Sequence, residues 1–135
     1  IIGGDLTNAP EEFVRQLKSF DIEDRITFHG NQENPYRFIK NMDLLLIPSY
    51  HEAAPMVYAE AHCLGVPILT TRTLSAVELV EKEEIGIVCK NENDAIESTL
   101  EDILRDPSKL DKYIDKGDNI NNTRAFLEFD ALLEQ

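Results

Sequence analysis

The chain has 135 residues, 42% of them hydrophobic, which suffices for one globular core and argues against general disorder. Its formal net charge of −13 excludes an extended surface for nucleic acid or anionic lipid, although a local anion site made of backbone N–H groups stays compatible with it. Cys63 and Cys89 are the two cysteines; each lies in an apolar run and reads as a reduced core thiol, which points to a reducing, cytoplasmic compartment.

The chain opens on "IIGGD", which reads as the stump of a strand and leads us to expect a piece of a longer protein. No signal peptide is recognisable, and no apolar run approaches the ~18 residues of a membrane span. Residues 10–20, "PEEFVRQLKSF", predict a helix with Pro10 in its first turn and Phe13, Val14 and Leu17 on one face. "RITFHG" alternates and is β-branched, so it predicts a strand. "PYRFIKNM" predicts a short helix, and "DLLLIP" a strand covered on both faces. "PMVYAEAHCL" predicts a helix stopped by Gly65, and "VPILTT" the next strand. "SAVELVEK" predicts a helix and "GIVCK" a strand; helices are then expected over 92–105, 108–117 and roughly 122–134. The acidic stretch 92–106 reads as a solvated helix face.

Strands alternating with helices imply an α/β fold: a Rossmann-like open parallel sheet with helices on both faces. Residues 1–118 are expected to form the domain, truncated at its amino end, with a C-terminal helix over 119–135. In such sheets ligands bind beyond the carboxyl ends of the strands. The loop "SYHEAA" follows the "DLLLIP" strand, so topology alone puts Glu52 at the binding edge.

Eight positions after Glu52 comes Glu60, the only Asp, Glu, Lys or Arg between Ala53 and Thr70. On a helix, positions 57, 60, 61 and 64 share a face, and the other three are apolar. A carboxylate there is costly unless it is hydrogen-bonded. Pro55 suits the first turn of a helix, and the N–H groups of Met56 and Val57 then point outward, where the helix dipole favours a phosphate. Ala53 and Ala54 leave the backbone approachable. A carboxylate beside bound phosphate suits a partner rich in donors, such as a sugar diol. The spacing alone equally allows Glu60 to bond a neighbouring backbone group or a surface Lys or Arg.

Other groups carry less. His29, His51 and His62 lack the i, i+4 histidine pair of a zinc helix, so no metal site is expected. His62 reads as a helix-surface or core residue, and Tyr50 either lines the cleft or packs beside the strand end. "IIGGD" is too short for a dinucleotide fingerprint.

Taken together, Phe28 and Gly30, Asp43, Pro48 and Ser49, Glu52 and Glu60, Gly65 and Pro67, and Glu78 follow one order and spacing. This set, across residues 1 to 110, closely resembles the donor-binding half of family 4 glycosyltransferases, the group 1 class with the GT-B fold. The resemblance implies the C-terminal half of a GT-B enzyme that moves a sugar, with retention at the anomeric carbon, from a nucleotide diphosphate sugar to a glycan or lipid-linked acceptor. It implies that Glu60 holds the ribose hydroxyls, that Glu52 lies by the donor sugar, and that backbone around Ala53, Ala54, Met56 and Val57 contacts sugar and diphosphate. Gly30 and Asn31 would lie near the base. Neither cofactor nor metal is implied. The acceptor would bind a missing N-terminal domain, and the full-length enzyme could associate peripherally with the cytoplasmic membrane face. "TTRTLSAVELV" and "GIVCKN" look like members that build capsule, exopolysaccharide or lipopolysaccharide. This piece alone is expected to be inactive. Leu74-Ser75 departs from the Gly-Gly of many members. Another GT-B enzyme, a nucleotide-sugar epimerase or sugar phosphorylase, is the alternative, as is a non-catalytic doubly wound binding domain.

Overall fold

The computed structural model describes residues 11–21, 23–53 and 55–114. Contacts divide the chain into two compact units, Ile1–Arg37 and Phe38–Gln135. The expected strand at residues 1–2, Pro10, the helix over 122–134 and the boundary at 118 lie outside the described residues.

In the first unit, α1 spans Glu11–Ser19. Phe13 meets Phe28 edge to face, with ring centroids 6.1 Å apart. "RITFHG" is not the expected strand: after a 3-10 turn at Glu23–Arg25, only Gly30 makes a β-bridge. Alternation supplies strand propensity, but a strand also needs a ladder, and Phe28 is tied instead to an α1 side chain. Gly30 has φ 62°, a left-handed conformation suited to glycine. Helix α2, Tyr36–Ile39, straddles the boundary between the units.

The second unit holds a parallel sheet of β1 (Leu45–Ile47), β2 (Ile68–Thr71) and β3 (Gly86–Cys89), in the order β1-β2-β3. Leu45 pairs with Ile68, and Ile68 with Gly86. Crossovers run through α3 (Met56–Cys63) and through α4 (Leu74–Ala76), which continues as a π-helical turn over Val77–Glu81. The last elements are α5, Asn93–Arg105, and a 3-10 stretch over Pro107–Tyr113. In the described part of the helix expected over 108–117 the chain takes this 3-10 form; Pro107 stands at its start, where its missing N–H costs no hydrogen bond.

Strand β2 is the centre, and all four of its residues are buried. Its faces alternate. Leu69 joins Cys89, Ile103 and Leu110 in a cluster under α5, while Thr70, on the other face, bonds Tyr58 of α3. The helices thus cover both faces, as the alternation of elements predicts. The apolar run expected to be covered on both sides is β2 rather than β1, whose Leu46 is 42% exposed at the margin of the described sheet. The acidic face of α5 is solvated, with Glu101 paired to Arg105 at 2.9 Å one turn on.

The stop after α3 has a defined geometry. Gly65 takes φ 71°, its N–H bonds the His62 carbonyl at 3.0 Å, and the Val66 N–H bonds that of Ala61 at 2.9 Å. These are the two bonds of a Schellman cap, with Val66 and Ala61 both buried beneath it.

Both cysteines are free. Cys89 is buried, and burial raises its thiol pKa, which keeps it protonated. Cys63 is only half-buried.

Tyr58, 1% exposed, reaches Thr70 Oγ1 at 2.8 Å, and Thr70 in turn donates to the Ile47 carbonyl at 2.9 Å. Thr70 has one hydroxyl proton and gives it to Ile47, so Tyr58 is the donor in the other bond. Tyr58→Phe deletes one buried bond and keeps the ring. We expect it to lower the unfolding free energy by about 1 kcal/mol. A urea midpoint equal to that of the parent would show that this bond contributes nothing.

Candidate functional site

The loop between β1 and α3 has no regular structure of its own, so its backbone carbonyls need partners from elsewhere. They find them on the neighbouring elements. Thr70 serves Ile47 at the strand end. Thr71, the last residue of β2, donates its hydroxyl to the Ser49 carbonyl. Asn91, just past β3, directs Nδ2 at the carbonyls of Ser49 and Tyr50, at 3.5 and 3.4 Å. Ser75 of α4 donates to the Glu52 carbonyl at 3.0 Å. The carboxyl ends of β2 and β3 and the start of α4 therefore all pin this one loop.

Within the loop, Ser49 Oγ donates to Glu52 Oε1 at 2.6 Å. This bond fixes the carboxylate of a half-buried residue at the carboxyl edge of the sheet, where topology puts it. Ala53 is exposed, and Ala54 lies outside the described residues.

Helix α3 starts without a side-chain cap. Pro55 stands at the N-cap position, φ −70° and ψ 120°, one residue earlier than the first-turn place expected of it. The Tyr58 N–H bonds the Pro55 carbonyl at 3.2 Å. Helix geometry leaves the Met56 and Val57 N–H groups without an intrahelical acceptor. The dipole of the helix adds partial positive charge at the same end, next to the loop that carries Glu52.

Glu60 lies one turn into α3. Tyr58 and Ala61 form the buried stripe, and Val57, Glu60 and Leu64 flank it half-buried. The carboxylate thus sits at the border of the apolar stripe, where its head can reach the surface. Glu52 and Glu60 occupy the loop before and the second turn of the same helix, with Met56 and Val57 between them. The edge around them is open: Tyr50 is 70%, Met56 76% and Leu74 89% exposed. Tyr50 is therefore no strand-packing residue. Gly30 and Asn31 belong to the first unit, where Asn31 is exposed.

Glu78, although part of the motif set, pairs with Lys82 at 2.6 Å on an exposed face. Among the described residues no three metal-ligating side chains cluster, and no helix is long and apolar enough to cross a membrane. Two concavities lie beside the sheet, and only the second touches the loop, at Pro48. One of about 330 Å³ sits at the amino end of β3, lined by Glu81, Glu84, Lys112 and Tyr113. The other, about 490 Å³, runs along α5.

Sequence reasoning did not single out Thr70, Thr71, Ser75 or Asn91 as loop anchors. Thr70 and Thr71 read simply as β-branched strand residues, and the pairings span 22 to 42 positions. Nothing local in the sequence signals bonds of that reach.

Comparison with known proteins fits this arrangement. Residues 1–119 match the family model for glycosyl transferases group 1. The chain belongs to that family. This group 1 glycosyltransferase chain is 34% identical over 77 residues to N-acetyl-alpha-D-glucosaminyl L-malate synthase of Bacillus anthracis, and 34% over 76 residues to the capsular polysaccharide biosynthesis glycosyltransferase CapM of Staphylococcus aureus. The matches cover 57% and 56% of this chain but only 20% of either relative. Among solved structures it is similar to WaaG, a glycosyltransferase involved in lipopolysaccharide biosynthesis, with TM-score 0.70 and 22% identity over 94% of this chain and 32% of that one. It is also similar to Anabaena HepE in complex with UDP, with TM-score 0.71 and 22% identity over 83% of this chain and 32% of that one. At that identity these likenesses speak to fold, and they agree with a Rossmann-like part of a GT-B glycosyltransferase.

Proposed function

We propose that this chain is the donor-binding part of a retaining glycosyltransferase that transfers a sugar from a nucleotide diphosphate sugar to a glycan or lipid-linked acceptor, in the synthesis of a surface polysaccharide. The observation that carries this reading is the pair Glu52 and Glu60 around the uncapped start of α3, at the carboxyl edge of a parallel sheet, in a group 1 family chain. In this reading Glu60 accepts from the ribose hydroxyls. Glu52, steadied by Ser49, accepts from hydroxyls of the donor sugar. The Met56 and Val57 N–H groups, with Ala53 and Ala54, receive the diphosphate. The helix N–H groups take the role a metal ion would otherwise fill at the diphosphate. Acceptor binding belongs to another part of the longer enzyme, which works in the cytoplasm or at the inner face of the membrane. The capsular polysaccharide enzyme among the relatives supports the pathway.

A chemical-shift titration of the chain with uridine, guanosine and adenosine diphosphates tests the reading. A site lacking a second domain, on a chain of net charge −13, should bind with a Kd of roughly millimolar to high micromolar, about 4–6 kcal/mol. Shifts are expected at Met56, Val57 and Glu60, and the preferred nucleotide identifies the base. EDTA should leave the affinity unchanged, and the chain alone should transfer no sugar. Shifts confined to the amino end of β3, around Glu84 and Lys112, would contradict the site; affinity abolished by EDTA and restored by magnesium or manganese would contradict the metal-free diphosphate contact.

A further inference from the structure

We propose that Thr73 and Ser75 form a clasp that positions Glu52, and that the clasp governs the contribution of the donor sugar to binding without governing that of the nucleotide. The inference rests on the donor-binding reading above. Thr73 Oγ1 accepts from the Ala76 N–H at 3.1 Å and caps the start of α4. Thr73 Oγ1 and Ser75 Oγ lie 3.1 Å apart, and Ser75 donates to the Glu52 carbonyl at 3.0 Å. Proton counting sets the direction of this chain. Ser75 has a single hydroxyl proton, committed to Glu52, so the proton between the two hydroxyls comes from Thr73. The relay therefore runs one way: Ala76 N–H to Thr73, Thr73 to Ser75, and Ser75 to the Glu52 carbonyl. Each hydroxyl gives and receives once, so the members polarise one another in the same sense.

Two features make the clasp specific to Glu52. Ser75 is 6% exposed, so its hydroxyl has little water to turn to and its bond persists. The amino half of the loop is held independently, by Thr71 and Asn91 at Ser49 and Tyr50. Loss of Ser75 thus frees the Glu52 backbone, leaves the Ser49 bond as the remaining tether of its carboxylate, and spares the rest. The start of α3 keeps its N–H groups and Glu60 in either case, because α3 is packed through Tyr58 and Ala61.

The test compares Ser75→Ala, Thr73→Ser and the parent by chemical-shift titration, using uridine, guanosine and adenosine diphosphates and their glucose conjugates. The parent should bind the conjugate of its preferred base more tightly than the bare diphosphate. Ser75→Ala should reduce that ratio by roughly two- to tenfold with the diphosphate affinity unchanged. It should speed amide exchange at Ala53 but not at Tyr50. Thr73→Ser, which keeps the relay hydroxyl, should retain the parental ratio. The clasp is overturned if the ratio survives Ser75→Ala, if diphosphate and conjugate weaken equally, or if the parent shows no preference for the conjugate. A parent that binds no nucleotide defeats the donor-binding reading itself, and the clasp falls with it.

Discussion

Glu60→Ala should weaken binding of the preferred nucleoside diphosphate by roughly ten- to a hundredfold, the loss of hydrogen bonds to a charged acceptor worth about 1.5–3 kcal/mol. The side chain is half-buried beside Ala61, so truncation opens no large cavity and the helix keeps its packing through Tyr58. Alanine also has the higher helix propensity, which favours the helix in the mutant. The experiment is a calorimetric titration of mutant and parent, in the longer enzyme where affinity permits. Glu60→Gln separates two causes. An amide oxygen still accepts one hydroxyl proton but without charge, so it should fall between parent and alanine. If Glu60→Ala binds nucleotide as well as the parent does, with the fold intact, Glu60 does not touch the ribose.

Much of this architecture can be read from local pattern. A helix of period 3.6 closed by glycine reads as α3, and the Schellman cap at Gly65 provides the physical basis. Continuous apolar runs read as buried strands, and β2 is one. The errors arise where pairing decides. "RITFHG" has a strand's composition, yet only Gly30 bridges, because a ladder depends on a neighbour that the segment itself does not specify. "DLLLIP" has the composition of a central strand, yet Leu46 stands at the margin of the described sheet. Burial on both faces is a property of position in the sheet.

The candidate site divides in the same way. Glu52 and Glu60 are visible in the sequence because a charge in an apolar run is anomalous on its own terms. Their supports are not. Thr71, Ser75 and Asn91 hold the loop through bonds that join separate elements, and a hydroxyl or an amide near a strand end has many innocent readings. Leu74-Ser75 is the instructive case. As sequence it stands out only as a departure from the Gly-Gly of many relatives. In the fold, Ser75 is a buried donor to the Glu52 carbonyl and Leu74 stands almost fully exposed. No glycine could supply that hydroxyl.

The largest effect on stability should come from Gly86→Ala. Gly86 opens β3 directly beside Ile68 of β2. A β-carbon there would collide with the Ile68 carbonyl oxygen, and would lie 2.8 Å from the Ile68 β-carbon and 2.9 Å from its carbonyl carbon. Those are backbone atoms and the root of a side chain in the fully buried central strand, so no rotamer change relieves the clash. The strands must separate, and the Gly86–Cys89 ladder shifts with them. Overpacking typically costs 1–3 kcal/mol, and a collision with rigid backbone belongs at or beyond the upper end, about 3 kcal/mol. Gly65→Ala provides the comparison: its φ of 71° asks only for local backbone strain, about 1 kcal/mol. Urea denaturation followed by circular dichroism should therefore rank the parent first, Gly65→Ala second and Gly86→Ala last. The consequence reaches the site, because β2 and β3 carry Thr71 and lead to Asn91, which pin Ser49 and Tyr50. Nucleotide binding should fall together with stability in Gly86→Ala, although Gly86 lies at the opposite edge of the sheet from Glu52. A Gly86→Ala chain as stable as the parent would mean that β2 and β3 do not approach each other as closely as this register requires.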